Sequence, residues 1–405
     1  MNAPDAKRFS AQFTDLGTGP LSVESMVSPE YFELEREKIF KKAWLNVGRV
    51  EDVPKPGDYM VQEIAILQTN VIIVRGADDR IRAFHNVCRH RGNEVAEGCG
   101  NTKGFSCGFH GWTYDTLGQL VYVPDEGQFF DLDKSKTGLA PLSCDVWRGF
   151  IFINADPDPE KSLVDYLGKM GEQLQDFPFE QMVPMHRLEA DVAVNWKVFV
   201  DAFHESYHAA FVHKMSVGDL MDTESDDPYM HLSSVRFFGP HRSASVPMNP
   251  NYQAQNRPAE ALSYKLASSL WLQEGAMEQQ FSPGTNPDQH EHWLFDINVC
   301  FPNFFIDVAN GWFFTYHFWP VAVDRTFWQY RFYMIPPANA GEAVSREYSK
   351  LALRDLLRED LSTVEATQRG LMTGAIQEVF LSDQEVAVRH QYKTVDDLVH
   401  GRTKI

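Results

Sequence analysis

Cys88-Arg89-His90-Arg91-Gly92 and Cys107-Gly108-Phe109-His110-Gly111-Trp112 decide how the first half of the chain is read. Residues 91–106 separate His90 from Cys107. Each stretch offers one thiol and one imidazole, so two short loops can close four donors around a metal centre. A Cys2His2 zinc site uses the same ligand types, but zinc sites usually place a cysteine pair two to four residues apart. One Cys and one His per loop suits a cluster of two irons instead, both thiolates on one iron and both imidazoles on the other. Imidazoles are neutral where thiolates are anionic, so reduction is less disfavoured and the potential rises. Cys99 lies between the loops and takes no part; Cys144 and Cys300 read as ordinary buried cysteines.

Outward from these loops the texture is β-like. Val71–Val74, Ile81–Phe84 and Gly149–Ile153 are short apolar or alternating runs with turn residues between them. Residues 45–156 therefore read as a small all-β domain, closed by the polar, proline-rich break Asp156-Pro157-Asp158-Pro159-Glu160. Before it, residues 1–27 read as a mobile or loosely packed leader. Ser28-Pro29-Glu30 starts a helix: an N-cap serine, proline at the first helical position, an acid in the first turn. That helix is expected to run to about Trp44. The division is thus 1–44, 45–156 and 157–405. In the last part residues 162–177 and 195–214 read as helical. Residues 215–292 read as an irregular lid, pocket rim or surface loop. Residues 293–336 read as antiparallel strands of one sheet, and 343–373 as a long amphipathic helix.

Composition bounds the function. The net charge of −19 repels phosphate backbones, so nucleic acid is not an expected partner, while a basic protein patch is. No apolar run reaches 18 residues and the N-terminus has no secretory signal, so no membrane span is expected. Five cysteines in a chain this long argue against a disulfide framework and for a reduced, cytoplasmic protein.

A second constellation lies in residues 195–213, Asn-Trp-Lys-Val-Phe-Val-Asp-Ala-Phe-His-Glu-Ser-Tyr-His-Ala-Ala-Phe-Val-His. Three histidines and two acids stand among apolar residues, and buried groups of this kind need partners or a metal. His204 and His208 share one face of a regular helix. His208 and His213 are five apart, about 140° around the wheel, and converge only if the helix bends or breaks. Spacing alone favours His204 with His208.

The two loops together resemble the Rieske [2Fe–2S] signature, with Gly108 where many members carry Pro. The histidine segment resembles the mononuclear-iron motif of Rieske non-haem iron oxygenases, which picks out Glu205, His208 and His213, with His204 the runner-up. The resemblance covers nearly the whole chain and implies the terminal oxygenase α subunit. It assigns Cys88, His90, Cys107 and His110 to the cluster. His208, His213 and an acid on a late helix go to Fe(II). Among Asp355, Glu359, Asp360 and Glu365 the resemblance falls best on Asp360; Asp355 and Glu359 read as a charged helix face. Glu205 would bridge His208 to His110 of the partner subunit, Asp201 being the weaker candidate. Many members have Asp there, whereas the carnitine and glycine-betaine branch has Glu.

The implied fold is α+β: an all-β Rieske domain and a helix-grip, StAR-like catalytic domain onto which the N-terminal helix packs. The implied assembly is a homotrimer, with room for a β subunit. Electrons would come from NAD(P)H through a reductase, with or without a ferredoxin. The expected reaction is hydroxylation of an aromatic or apolar substrate with O2. Oxidative N-demethylation of a quaternary or tertiary amine is the alternative, because aromatic boxes also bind such cations.

Overall fold

A computed structural model of the chain describes residues 8–216, 231–249, 252, 257–267 and 281–405. It divides into two units: Arg36–Tyr166, and residues up to Glu35 together with Leu167–Lys404. These limits differ from 45 and 156 for a physical reason. The helix expected from Ser28, α1 (Pro29–Glu35), gives way to a π turn at Arg36–Phe40 and stops well before Trp44. Ile39, Phe40, Ala43 and Trp44 are buried, and Trp44 Nε1 donates to the Lys161 carbonyl at 3.0 Å.

In the Arg36–Tyr166 unit the strands are β1 (Leu45–Arg49), β2 (Asp58–Ile64), β3 (Thr69–Arg75), β4 (Ile81–His85), β5 (Cys99–Asn101), β6 (Gly104–Ser106), β7 (Thr113–Asp115), β8 (Leu120–Tyr122), β9 (Pro141–Trp147) and β10 (Phe150–Asn154). An antiparallel sheet runs in the order β1-β10-β9-β4-β3-β2-β5, and β6-β7-β8 form a smaller one. Ile72, Val74 and Phe84 from the large sheet share a core with Phe105, Tyr114 and Leu120 from the small one. Cys88 and Cys107 lie inside this core.

The other unit holds β11 (Val183–Val192), β12 (Ser234–Phe238), β13 (His241–Pro247), β14 (Trp293–Cys300), β15 (Phe304–Ala309), β16 (Trp312–Ala322) and β17 (Arg325–Met334). Their order is β11-β17-β16-β15-β14-β13-β12, every pairing antiparallel. Its helices include α2 (Trp196–Asp201), α3 (Ala209–Val212), α4 (Pro258–Leu266), α5 (Ala340–Met372) and α6 (Val386–Val399), and the helix expected over 162–177 is present as Leu163–Leu174. Asn339 caps α5, its side chain accepting the Glu342 N–H at 3.0 Å. The helix buries Ser345, Ser349, Leu353, Leu357, Asp360, Val364, Gln368 and Leu371, a three-and-four stripe along one face. Sheet plus long helix is the expected α+β arrangement.

Two expectations are corrected. Residues 8–27 are not a loose leader: Phe9, Val23 and Met26 are buried, and Leu21–Ser22 pair with Glu378–Val379. Nor are residues 215–292 irregular throughout. The Val, Phe and Ser runs either side of Gly239-Pro240 form the hairpin β12–β13, and Pro258 opens α4. The remainder of that expected lid, 217–230, 250–251, 253–256 and 268–280, and residues 1–7 of the leader, lie outside the described residues.

Candidate metal centres

The two Rieske-type loops are built alike. The Gly92 N–H bonds to the Cys88 carbonyl and the Gly111 N–H to the Cys107 carbonyl, each at 2.9 Å. The Cys88 N–H reaches the Asn93 carbonyl at 2.7 Å, and the Cys107 N–H the Trp112 carbonyl at 2.8 Å. Each loop therefore closes on a glycine four residues after its cysteine, and Gly92 (φ 81°) and Gly111 (φ 71°) sit where a side chain would be strained. The cysteines are buried while His90 and His110 reach the surface, their ring centroids 4.5 Å apart. His90 stacks on Trp112 at 4.9 Å. Tyr114 Oη lies 3.4 Å from Cys88 Sγ and accepts the Arg89 N–H at 2.9 Å. Burial works against a Cys107 thiolate, but the N–H groups of Phe109 and His110 outweigh it and lower the thiol's pKa. Such a thiolate suits a metal.

The second centre explains the five-residue spacing. After Asp201 the helix breaks. Glu205 Oε2 takes the His208 N–H at 3.2 Å, a hydrogen bond that continued helix would otherwise make. His208 and His213 then flank the single turn α3, and their Nε2 atoms converge to 3.3 Å. From the stripe of α5, Asp360 Oδ1 comes within 2.9 Å of His213 Nε2 and 3.5 Å of His208 Nε2. One donor atom from each of the three residues lies within 4.8 Å of the others, an arrangement that could hold a metal. Asp360 Oδ1 is buried without a hydrogen bond. A buried carboxylate oxygen with two imidazole nitrogens as its neighbours fits a cation, and two His with one carboxylate fit non-haem Fe(II).

The outer nitrogens are held as well. His208 Nδ1 lies 2.5 Å from Glu205 Oε1, and His213 Nδ1 lies 3.0 Å from Glu359 Oε2, which also accepts Ser216 Oγ. Burial opposes charge on His208, yet the Asp360 and Glu205 carboxylates beside its ring prevail and push its pKa up to about 10. The site is thus an electrostatic well for positive charge. Glu359 is the residue that spacing missed: it reads as surface, but its side chain folds back onto His213. Carboxylates behind metal-bound histidines typically tune affinity 10–100-fold. Glu359→Gln is accordingly expected to lose iron to a chelator roughly 10–100 times more readily, with His213 still present. Iron retention against a chelator series checks it.

His204 and Asp201 are not brought to this centre. His204 is buried on Phe305, where its Nε2 accepts Arg242 Nε at 3.0 Å. The Asp201 carboxyl accepts Tyr392 Oη at 2.7 Å, and burial raises its pKa to about 8. Beside the triad opens a cavity of about 680 Å³. Its walls include Phe203, Phe295, Trp312, Phe314, Tyr316 and Tyr348.

Comparison with known proteins now places the chain. The sequence model of the ring hydroxylating alpha subunit (catalytic domain) matches residues 179–401, and that of the Rieske [2Fe-2S] domain matches 43–139. The chain belongs to the ring-hydroxylating alpha-subunit family. It is a Rieske non-haem iron oxygenase, and its cofactors are a Rieske [2Fe–2S] cluster and mononuclear non-haem iron. It is 27% identical to a carnitine monooxygenase oxygenase subunit of Acinetobacter pittii, over 85% of this chain and 83% of the relative. The biphenyl 2,3-dioxygenase alpha subunit of Rhodococcus jostii is 30% identical over 71% of each chain. In fold the chain resembles naphthalene 1,2-dioxygenase from Rhodococcus sp., with a TM-score of 0.75, 21% identity and 98% of both chains covered. No helix among the described residues is long and apolar enough to cross a membrane.

Proposed function

We propose that this oxygenase removes an N-methyl group from a quaternary or tertiary amine held in the 680 Å³ cavity. The observation that carries the placement is the triad His208, His213 and Asp360 opening directly onto that cavity. The choice of substrate class is supported by the carnitine monooxygenase relative, which matches more of the chain than the biphenyl dioxygenase does. The reading first drawn from the sequence, hydroxylation of an aromatic or apolar substrate, remains the second one, favoured by the aromatic walls.

In this proposal Cys88 and Cys107 hold one iron of the cluster, His90 and His110 the other, and His208, His213 and Asp360 hold the mononuclear iron. The iron supplies the site at which O2 is activated. The balance is a methyl C–H, O2, two electrons and two protons giving N–CH2OH and water. The N–CH2OH compound then loses formaldehyde, and for a quaternary amine a proton. Glu205 and Glu359 fix the two imidazoles, Asp360 supplies the anionic ligand, and the aromatic walls exclude water from the reacting carbon. Electrons reach the cluster from NAD(P)H through a reductase, with or without a ferredoxin. They cross within a trimer from His110 of the partner subunit through Glu205 to His208.

Reconstitution with iron, sulfide, a reductase and NADH against a panel of methylated amines and arenes is the test. Formaldehyde is expected in stoichiometry with O2 consumed. Hydroxylated or dihydroxylated arenes without formaldehyde would establish the second reading.

A further inference from the structure

Pairing across β14, β15 and β16 places one acid on the aromatic inner face of the catalytic sheet. Asp307 on β15 is directly opposite Phe314 on β16, while Phe305 faces Tyr316 and Ala309 faces Trp312. Side chains two apart share a face. Asp307 therefore stands in one layer with Trp312, Phe314 and Tyr316, and all four line the cavity. It is 3% exposed, and its hydrogen bond among the described residues is a long one, 3.3 Å from the Asn298 N–H.

The other acids of the cavity are spoken for. Glu205 holds His208, Glu359 holds His213 and Asp360 belongs to the triad. Glu260 accepts Tyr252 and Tyr264 and lies 3.6 Å from Arg257. Asp355 pairs with Arg354. Asp307 alone among these has no cationic or ring N–H partner among the described residues. A carboxylate buried without a countercharge is costly, and here burial and the neighbouring Asp296 hold its pKa well above the usual range. A ligand bringing a positive charge would remove that cost.

We infer that Asp307 is the specificity-determining countercharge for an alkylammonium group, seated between its carboxylate and the faces of Trp312, Phe314 and Tyr316. This deepens, and rests on, the amine reading proposed above. Aromatic faces attract a desolvated quaternary ammonium, and an adjacent carboxylate adds direct charge pairing that a neutral isostere cannot use. Asp307 is none of the three iron ligands His208, His213 and Asp360. It sets which molecules enter and how they point.

The probes are choline and its uncharged carbon isostere 3,3-dimethyl-1-butanol, titrated calorimetrically into the iron-loaded holoenzyme. Wild type is expected to bind choline at least about tenfold more tightly. Asp307→Asn keeps the shape and the acceptor for Asn298, so it should fold, keep both metal centres and lose the preference. Asp307→Glu retains charge and should keep part of it. Equal binding of the two probes by wild type, or no binding of either, overturns the inference. So does an undiminished preference in Asp307→Asn. Formaldehyde release from amines by an Asp307→Asn enzyme with unchanged preference would sink the role of Asp307 while leaving the amine reading intact.

Discussion

Alanine at Asp360 is expected to remove both turnover and the mononuclear iron, and to leave the visible spectrum of the cluster untouched. Three protein donors leave an iron site open for substrate and oxygen; two imidazoles alone make a weak site. His208→Ala and His213→Ala should behave alike. The structure adds a sharper expectation for Asp360. Without metal its Oδ1 lies 2.9 Å from His213 Nε2 and 3.5 Å from His208 Nε2, so removing the carboxylate takes the countercharge from two partly buried imidazoles. Thermal stability of the metal-free Asp360→Ala protein at neutral pH should therefore fall below that of metal-free wild type. His204→Ala is the converse. It leaves the buried Arg242 Nε without its acceptor, so about 1–3 kcal/mol of stability should go while the iron stays. Iron and acid-labile sulfide analysis with thermal melts separates the two. Full iron in Asp360→Ala, or iron loss in His204→Ala, would reassign the ligand.

How much of this was legible follows from how local each interaction is. The cluster loops were readable because each is closed by its own backbone, a glycine four residues after a cysteine, and nothing distant is needed. The iron site was only half readable. A regular wheel pairs His204 with His208, and what defeats it is the end of the helix at Asp201, after which Glu205 takes the His208 N–H. Asp360 could have been separated from Asp355, Glu359 and Glu365 by periodicity, since it continues the stripe Leu353, Leu357, Val364, Leu371. Glu359 could not, because its partner His213 is 146 positions away and the helix face it occupies is otherwise solvent-facing. Asp307 was hidden for a similar reason. Its meaning depends on facing Phe314 across a sheet, a register that tertiary pairing sets. The loose leader and the irregular 215–292 stretch were misjudged where polar composition hid short elements that bury a few large side chains.

Glu205→Gln is expected to slow electron transfer from cluster to mononuclear iron by orders of magnitude, with both centres still loaded. In the wild-type chain Glu205 Oε1 lies 2.5 Å from His208 Nδ1, and Oε2 accepts the His208 backbone N–H. One carboxylate thus fixes both the ring and the turn that carries it. In the proposed assembly the same group also receives His110 of the partner subunit. Glutamine retains the length and one acceptor but loses the charge, and charge-assisted hydrogen bonds are about twice as strong as neutral ones. With iron supplied in excess the site should stay loaded, because Nε2 of His208 still faces the triad, although retention against a chelator should fall as in Glu359→Gln. Reduction of the cluster by its reductase should also be unchanged, since none of the four cluster donors is altered. Glu205→Asp keeps the charge on a side chain one methylene shorter, so part of the rate should survive. Asp201→Asn should transfer at the wild-type rate, since the Asp201 carboxyl is engaged with Tyr392 and not with His208. Stopped-flow oxidation of the reduced cluster, with substrate and oxygen present, reads all three variants in one experiment. A wild-type rate in Glu205→Gln beside a slowed Asp201→Asn would move the bridge to Asp201. A wild-type rate in the fully iron-loaded Glu205→Gln enzyme would make Glu205 a support for the iron ligand alone.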